Sequence, residues 1–455
     1  MQTLQSSRPL TDRDPGDIIV HGPDGQISVA EFIGRATALA GQLPDHDYVI
    51  NLAADRYEFF LGFCAAIIAG QCTLMPPNRQ LQTVQQVAAD YPDCYLLDRN
   101  PIDGIEWLDV DFENIARDAD VAEAPEVALQ QLCAIVFTSG STGAATPNRK
   151  YWKTLRSGAL SNAAALLEGR SIRLNLIATV PQQHNWGFET SIMMPLFANI
   201  AVSHITPFFP QDIVDALESL PEPRALVSSP IHVDALLSAG VARPRVHRIY
   251  SATAPMSSGL ARKLEKHFGG RVIEIFGCSE AGTFATRQTA TETLWQISPT
   301  FQLEAAEEGV IIRAEHLPED VVLHDVLEIL ADGQFRWHGR DQDMVNIAGK
   351  RGSLADLNHR LTSISGVVDG VIFMPEEDSK RLAALVVAPG LQPSDILEQL
   401  RTTIEPAFLP RPMYIVSMLP RQETGKLAKR MLIELFEQTR RMKAQQDDRT
   451  TDSSG

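Results

Sequence analysis

The chain has 455 residues, 44% of them hydrophobic and 21% charged, which is typical of a globular protein with two or three domains. Its formal net charge of −17 argues against general binding to nucleic acid or to an anionic membrane surface. Its N-terminus has no apolar signal core, and no apolar run approaches the roughly 20 residues of a membrane-spanning helix. We therefore expect no nucleic-acid partner, no membrane insertion and a cytoplasmic location.

From about residue 47 to residue 277, short apolar runs alternate with helical patterns. The segments "RYEFFLGFCAAIIAG" and "GLARKLEKHFG" predict helices. Strands are predicted at "DYVINLAA", "LCAIVFTS", "RLNLIATV", "ANIAVSHI", "RALVSSP", "VHRIYSA" and "RVIEIFG". This alternation predicts an α/β fold with largely parallel sheets covered by helices, in which ligands bind beyond the carboxyl ends of the strands.

The pattern changes after about residue 320. The segments "VVLHDVLEIL" and "GQFRWHGR" predict antiparallel β-structure. A smaller α+β unit follows, with helices at "SLADLNHRLTSI" and "PSDILEQLRTTI" and strands at "VVDGVIFM" and "RLAALVVA". The polar tail over residues 437–455 is expected to be disordered.

The five cysteines form neither a C-x-x-C pair nor a Cys/His cluster at metal-ligand spacing. Most of them have apolar neighbours, so we expect reduced cysteines in the core of a cytoplasmic protein. They are Cys64, Cys72, Cys94, Cys133 and Cys278.

The segment "FTSGSTGAATPNRK", residues 137–150, follows a predicted strand and has the residue types of a phosphate-binding loop. Glycines let backbone N–H groups approach an anion, hydroxyls donate hydrogen bonds, and Arg149 and Lys150 supply positive charge. The segment lacks the G-x-x-x-x-G-K-[ST] pattern and is therefore not a P-loop. Taken alone, these small polar residues also suit a flexible surface linker.

Seven segments between about residues 50 and 435 resemble, in order, the signatures of the adenylate-forming superfamily. That superfamily includes acyl- and aryl-CoA synthetases, nonribosomal-peptide adenylation domains and luciferases. The segments are "NLAADRYEFFLGFCAAIIAGQCTLMPPN", "TSGSTG", "VPQQHNWG", "SATAPMS", "IFGCSEAG", "LHDVLEI" with "HGRDQDMVNIAGKRG", and "LPRQETGKLAKRML". A single motif would be weak support, whereas seven in order are strong support.

The resemblance implies a large N-terminal adenylation domain over residues 1–341, with largely parallel sheets and a β-subdomain. It also implies a hinge at Gln342 and a small mobile α+β C-terminal domain over residues 343–436. The implied reaction joins a carboxylic acid to ATP as an acyl-adenylate and releases pyrophosphate. The acyl group is then transferred to a phosphopantetheine thiol, on coenzyme A or on an acyl carrier protein.

The phosphate-binding signature implies a set of residues for the β- and γ-phosphates of ATP. They are Thr138, Ser139, Gly140, Ser141, Thr142 and Gly143, with Lys150 as the accompanying cation. Arg149 is the alternative cation, because "GAATPNRK" is longer than the family's Gly-x-Pro-Lys.

Other motifs imply contacts to the rest of the nucleotide. Ser279 would hydrogen-bond the α-phosphate, Glu280 would hold Mg²⁺, and Asp325 would accept hydrogen bonds from the ribose hydroxyls. Arg340 would contact ribose or phosphate, and Lys426 would be the catalytic lysine of the first half-reaction. The segment that would pack on the adenine contains Ala254 and Pro255, and Phe276 and Gly277 of "IFGCSEAG" would also bind the nucleotide.

The remaining motifs concern the acid and the acceptor. His184 would reach the acyl pocket, and Trp186 and Phe188 beside it hint weakly at an aromatic acid. The Phe-Asp segment that binds an α-amino group is missing, which favours a simple aryl or aliphatic acid over an amino acid. After a domain swing, Lys350 and Arg351 would suit the phosphates of coenzyme A or an acidic carrier protein.

The sequence departs from the family pattern at several motif positions. Phe276 replaces the usual Tyr, Ser279 the usual Thr, "LHD" the usual Thr-Gly-Asp, and Gln342 the usual Asp or Lys. These changes indicate a divergent branch. Two alternatives stay open: a kinase or NTPase of another fold, which the missing signatures disfavour, and a non-catalytic nucleotide- or acyl-binding protein that keeps this fold.

Overall fold

The computed structural model describes residues 6–116, 123–139, 145–167, 173–306, 309–340, 344–347, 350–376, 379, 381–421, 427 and 429–452. The strands, in chain order, are β1 Ser7–Pro9, β2 Ile18–Gly22, β3 Gly25–Ser28, β4 Tyr48–Asn51, β5 Cys72–Met75, β6 Cys94–Leu97, β7 Glu106–Leu108, β8 Glu126–Ala128, β9 Leu132–Ser139, β10 Ala145–Tyr151, β11 Leu174–Ala178, β12 Ile200–Ser203, β13 Arg224–Ser228, β14 Arg248–Ser251, β15 Arg271–Cys278, β16 Gly282–Arg287, β17 Trp295–Ile297, β18 Gln302–Ala305, β19 Val310–Arg313, β20 Val321–Leu323, β21 Asp325–Ile329, β22 Gln334–Arg340, β23 Met344–Ile347, β24 Lys350–Ser353, β25 Asp369–Phe373, β26 Ala383–Val387 and β27 Met413–Ile415.

The α-helices lie between these strands or follow them. In chain order they are α1 Val29–Ala40, α2 Arg56–Ile68, α3 Leu81–Asp90, α4 Trp152–Leu166, α5 Asn185–Phe188, α6 Met194–Phe197, α7 Pro210–Ser219, α8 Pro230–Ser238, α9 Ser258–Phe268, α10 Leu354–Thr362, α11 Pro393–Arg401 and α12 Lys429–Asp452. A π-helical turn, Glu189–Met193, joins α5 to α6.

Two large sheets carry most of the chain and confirm the predicted α/β class. One has six strands in the order β10-β9-β5-β4-β6-β7, and the other has eleven in the order β21-β22-β17-β16-β15-β14-β13-β11-β12-β2-β3. Strands β4, β5, β6 and β9 pair in parallel, as do β11 to β15 with their neighbours in that group. The predicted antiparallel structure after residue 320 is present in the β21–β22 pair.

Helix α2 lies in the core shared by the two sheets. Its residues from Arg56 to Ile67 are all buried, and its cluster includes Val49 of the six-stranded sheet and Leu176 of the eleven-stranded sheet. A helix that is apolar on all sides fits such a position, because every face meets another element. Arg56 is buried too, and donates to the carbonyl of Ala178 at 2.8 Å and to the hydroxyl of Ser191.

The C-terminal unit has a hydrophobic core of its own, formed by β23, β26, α10, α11 and the segments around them. The predicted hinge at Gln342 lies outside the described residues, so the division between domains stays a prediction. The expectation of a disordered tail was wrong for most of its length, because α12 extends from Lys429 to Asp452. The segment "MKAQQ" within it consists of good helix formers, which favours continuation of the helix.

The cysteines are free thiols, as expected. Cys64, Cys72, Cys94 and Cys133 are buried, and Cys278 is half-buried. Burial raises the pKa of Cys72 to about 12 and that of Cys94 to about 11, so these thiols stay protonated. Within the described ranges, no helix is long and apolar enough to cross a membrane.

Candidate active site

The predicted site segments follow the carboxyl ends of parallel strands in the two large sheets. Strand β9 leads into the phosphate segment, β11 into the segment with His184, β14 into "SATAPMS" and β15 into the turn with Ser279 and Glu280. The first of these strands belongs to the six-stranded sheet and the others to the eleven-stranded sheet. These carboxyl ends are where an α/β fold binds ligands.

The phosphate segment forms a hairpin of β9 and β10. The two strands pair antiparallel, with Ser139 opposite Ala145 and Ala134 opposite Lys150. Thr138 is described, and its hydroxyl lies 3.5 Å from the side-chain Nδ2 of Asn148. The predicted phosphate ligands Gly140, Ser141, Thr142 and Gly143 lie outside the described residues.

Lys150 and Arg149 point to opposite sides of β10. Arg149 is exposed, whereas Lys150 is only 4% exposed. The Lys150 ammonium donates to the carbonyl of Ser279 and, at 3.4 Å, to that of Glu280. Burial lowers the pKa of Lys150, while the negative charge of Glu189 opposes that shift. Of the two cations, Lys150 is therefore the one joined to the predicted α-phosphate and Mg²⁺ residues.

Ser279 and Glu280 lie in the tight turn between β15 and β16, where Cys278 pairs with Gly282. Gly282 has φ +76°, a conformation that favours glycine. A Cβ atom on Gly277 would lie 2.5 Å from the carbonyl oxygen of Gly282, so a larger residue would push the two strands apart. The turn leaves Ser279 half-buried and Glu280 exposed at its tip.

Sequence reasoning missed the role of Glu189 in this turn. Its Oε2 accepts hydrogen bonds from the Thr283 hydroxyl at 2.9 Å and the Thr283 amide at 3.3 Å. Its Oε1 accepts from the side-chain Nδ2 of Asn185 at 2.7 Å. The only sequence signal was an acidic residue soon after "HNWG", which is too common to identify the contact.

His184 is the N-cap residue of α5 and is half-buried. Its carbonyl accepts a hydrogen bond from the backbone amide of Phe188 at 2.8 Å. Only glycine fits at position 187, because a Cβ atom there would lie 2.1 Å from the carbonyl oxygen of Pro181. Phe188 is fully buried, and its ring packs edge-on against Phe63 at 4.9 Å. The Phe188 ring therefore belongs to the core, and it gives no support for an aromatic acid.

A buried carboxylate supports the segment that contains Ala254 and Pro255. Glu274 accepts from the Met256 amide at 2.8 Å and from the Arg287 guanidinium at 2.7 Å. Thr253, just before Ala254, has φ +77°. That conformation is unusual for a β-branched residue and indicates a backbone held by its surroundings.

An aromatic cluster surrounds Phe276. Its ring lies 5.0 Å from that of Trp295, 5.4 Å from that of Phe284, 5.5 Å from that of Phe335 and 6.1 Å from that of Trp337. The neighbouring rings hold Phe276 in one orientation at the end of β15.

The predicted ribose residues lie on adjacent strands. Asp325 begins β21 and pairs in register with Arg340 at the end of β22. Asp325 is 9% exposed, and its Oδ1 accepts a hydrogen bond from the Trp337 indole at 2.7 Å. The backbone thus brings the two predicted residues together, and the Arg340 side chain lies outside the described part of the chain.

The structure does not place two other predicted residues in the site. Lys426 lies outside the described residues, and Arg351 is described only as part of β24, opposite Asn346. The segment that carries Lys426 is bounded by a backbone bridge between Arg421 and Leu427. Arg421 also makes a bidentate ion pair with Asp369, with both distances 2.7 Å.

Comparison with known proteins identifies a family that the chain matches. A sequence model of the family described as AMP-binding enzyme matches residues 11–305, well over half of the chain. The chain is 26% identical, over 361 residues, to a 3-[(3aS,4S,7aS)-7a-methyl-1,5-dioxo-octahydro-1H-inden-4-yl]propanoyl:CoA ligase of Mycobacterium tuberculosis. That match covers 70% of this chain and 69% of the relative.

A second relative is much longer than this chain. The chain is 22% identical to a linear gramicidin synthase of Brevibacillus parabrevis, and the match covers 94% of this chain but 6% of the relative. An acetyl-coenzyme A synthetase of Mycolicibacterium smegmatis is 28% identical over 116 residues, covering 24% of this chain and 12% of the relative. The chain thus spans only a small part of these two relatives.

Solved structures share the fold. The ATP-bound MatB of Rhodopseudomonas palustris superposes with a TM-score of 0.80 at 19% identity, covering 94% of this chain and 97% of that one. The o-succinylbenzoate CoA synthetase MenE of Bacillus subtilis, in complex with its acyl-adenylate, superposes with a TM-score of 0.79 at 14% identity. That match covers 93% of this chain and 98% of MenE.

Proposed function

The chain belongs to the family of AMP-binding enzymes, and from that premise we propose that it is an ATP-dependent acid–thiol ligase. It activates a carboxylic acid to an acyl-adenylate with release of pyrophosphate, then transfers the acyl group to a phosphopantetheine thiol. The observation that supports this most is that Lys150 of the phosphate segment bonds the turn that holds Ser279 and Glu280. Glu189, two residues after the predicted acyl-pocket segment "VPQQHNWG", bonds the end of the same turn. Two predicted binding segments therefore meet at this turn, and the third ends close to it.

In the first step a carboxylate oxygen bonds to the α-phosphorus of ATP, and the bond to pyrophosphate breaks. Negative charge on the phosphoryl oxygens must be balanced by positioned donors and cations. In this proposal, Thr138 and its loop donate to the β- and γ-phosphates and the Ser279 hydroxyl donates to the α-phosphate. Lys426 supplies a compact positive charge between the attacking carboxylate and the α-phosphate.

Glu280 fits a magnesium ligand. It is an exposed carboxylate at the tip of the turn, and the described residues contain no group of three His, Cys, Asp or Glu that could hold a metal ion by themselves. Mg²⁺ is usually held by one or two carboxylates together with phosphate oxygens and waters, which matches this donor set. When bound there, the ion would neutralise phosphate charge.

Lys150 has a positioning role in this proposal. Its ammonium donates to the carbonyls of Ser279 and Glu280, so it aligns the turn that faces the nucleotide. At the other end of the nucleotide, Asp325 accepts from the ribose hydroxyls, Ala254 and Pro255 pack on the adenine, and Phe276 and Gly277 also bind the nucleotide.

Trp337→Phe is expected to weaken discrimination between ATP and its 2′- and 3′-deoxy analogues. The Trp337 indole holds the carboxylate of Asp325, and a site built to bond a hydroxyl rejects the analogue that lacks it. Losing that bond should raise KM for ATP about fivefold, with kcat within about twofold. Steady-state pyrophosphate release with the three nucleotides measures both effects.

Trp295→Phe is the matched control. Trp295 belongs to the same aromatic cluster, but its buried indole nitrogen has no hydrogen-bond partner among the described residues. The control should keep the ratio of ATP to deoxy-ATP activity. Equal loss of the ratio in both variants would show that cluster packing, and not the bond to Asp325, sets the discrimination.

The acceptor of the acyl group is a thiol of coenzyme A or of an acyl carrier protein. The C-terminal domain turns about Gln342 between the half-reactions and presents Lys350 and Arg351 to the acceptor. The acid is an aryl or aliphatic carboxylic acid, and the cytoplasm as its location stays a prediction.

Pyrophosphate release with a library of carboxylic acids tests the proposal. Mass spectrometry of the products, with coenzyme A and a phosphopantetheinylated carrier protein offered in parallel, identifies the acid and the acceptor. At least one acid should give ATP-dependent pyrophosphate release and a thioester. A folded protein that binds ATP without acid-dependent release would favour the non-catalytic alternative.

A further inference from the structure

We propose that Glu189 is a positioning residue that links the acid segment to the turn carrying Ser279 and Glu280. The acid segment is the run from His184 to Glu189, whose last residue starts the π-helical turn. This inference rests on the proposed function, because it assigns a task within the same site. It adds a residue that no signature motif identified and a physical path between the two substrates.

Both carboxylate oxygens of Glu189 are engaged. Oε2 accepts from the hydroxyl and the backbone amide of Thr283, and from the side-chain Nδ2 of Asn162 at 3.4 Å. Oε1 accepts from Asn185 and would lie 2.7 Å from a Cβ on Gly282. Hydrogen bonds to an ionised carboxylate are stronger than neutral ones, so the carboxylate holds the start of β16 firmly.

Lys150, which lies on β10, also holds the turn between β15 and β16. Its ammonium bonds the carbonyls of Ser279 and Glu280, while Glu189 bonds the amide of Thr283 on the far side of the turn. Opposite charges therefore bracket residues 279–283, one at the carbonyls and one at an amide. The exposed Glu280 is the residue whose position this arrangement controls.

Glu189 is also the last residue of the acid segment. Asn185 follows the predicted acid-pocket residue His184 and donates to Glu189, and the π-helical turn starts at Glu189. Single π-helical turns inside helices occur frequently at functional sites. A shift of His184 and Asn185 when the acid binds would reach Thr283 through one side chain. Such a link gives the acid and the nucleotide reciprocal effects on each other's affinity.

The test compares Glu189→Gln with the control Glu265→Gln. Glu265 also bonds a backbone amide, that of Val272 at 2.9 Å, but near the opposite end of β15. The probe is α,β-methylene-ATP, titrated calorimetrically into the full chain with and without Mg²⁺. Thr283→Val, which removes only the hydroxyl donor to Glu189, is a milder second variant.

In the unaltered protein, Mg²⁺ should tighten binding of the probe. Glu189→Gln should reduce that Mg²⁺-dependent gain by at least about fivefold. Mg²⁺-free binding should weaken less, because there the displaced turn contributes only the Ser279 contact while the other contacts to the nucleotide remain. Thr283→Val should act in the same direction, and the double variant should show less than the sum of the two effects because the residues touch. Glu265→Gln should retain the full gain.

An unchanged Mg²⁺ gain in Glu189→Gln or in a folded Thr283→Val would overturn the inference. So would equal losses with and without Mg²⁺, or an equal loss in Glu265→Gln, since both indicate a general packing effect. If Glu189→Gln does not fold, Thr283→Val alone decides. No nucleotide binding by the unaltered protein would reject the proposed function itself, whereas binding without acid-dependent pyrophosphate release would reject only the catalytic part.

Discussion

Replacing Lys426 by alanine is expected to slow acyl-adenylate formation at least about a hundredfold, because the lysine would balance charge that develops as the carboxylate attacks the α-phosphorus. Transfer from a supplied acyl-adenylate to the thiol should change only severalfold, since in the proposed domain swing the lysine leaves the site before that step. Single-turnover assays of each half-reaction measure the two rates separately.

Lys429→Ala is the matched control for this variant. Lys429 lies in the same basic stretch, is exposed at the start of α12, and has no assigned role. It should leave both half-reactions near their original rates. Equal loss of both half-reactions in Lys426→Ala would refute the domain swing, and equal loss in the two variants would refute the assignment of Lys426.

Lys150→Met is expected to lower acyl-adenylate formation by about a hundredfold, because a small misplacement of the turn that carries Ser279 and Glu280 would spoil the alignment of the reacting groups. Methionine keeps most of the volume of the buried side chain but removes the ammonium that bonds the carbonyls of Ser279 and Glu280. Leaving those carbonyls without this partner should also reduce the free energy of unfolding by about 1–3 kcal/mol. Pre-steady-state pyrophosphate release and denaturant unfolding measure the two effects.

Arg149→Met is the control from the same strand. Arg149 is exposed on the opposite face of β10, so its loss should alter neither the adenylation rate nor the unfolding free energy appreciably. A larger rate loss in Arg149→Met than in Lys150→Met would reverse the assignment of the loop cation.

Much of the fold followed from local patterns. The apolar run "LCAIVFTS" coincides with β9, and the helix predicted at "RYEFFLGFCAAIIAG" is α2, Arg56–Ile68. Such segments are predictable because periodicity and burial coincide within a few residues. The prediction of a disordered tail was wrong because low hydrophobicity was taken for disorder, although segments such as "MKAQQ" consist of good helix formers.

Site residues could be predicted from the sequence only where a family motif specifies the residue type at that position. The order of motifs indicated Asp325 and Arg340, and the β21–β22 register places them opposite each other. The same reasoning could not tell Lys150 from Arg149, because the segment departs from the family spacing. The structure distinguishes Lys150 from Arg149, because successive side chains of β10 point to opposite faces and only one face meets the turn of Ser279.

The sequence by itself determined the alternation of strands and helices, the family, and the residue types available for phosphate and ribose. Those properties depend on neighbours in the chain and on the order of short motifs. The tertiary structure decided which charges act together. Glu189 and Thr283 are 94 positions apart, and Lys150 and Ser279 are 129 apart, yet both pairs meet at one turn. Contacts between such distant residues arise from the packing of the two sheets, which no local pattern records.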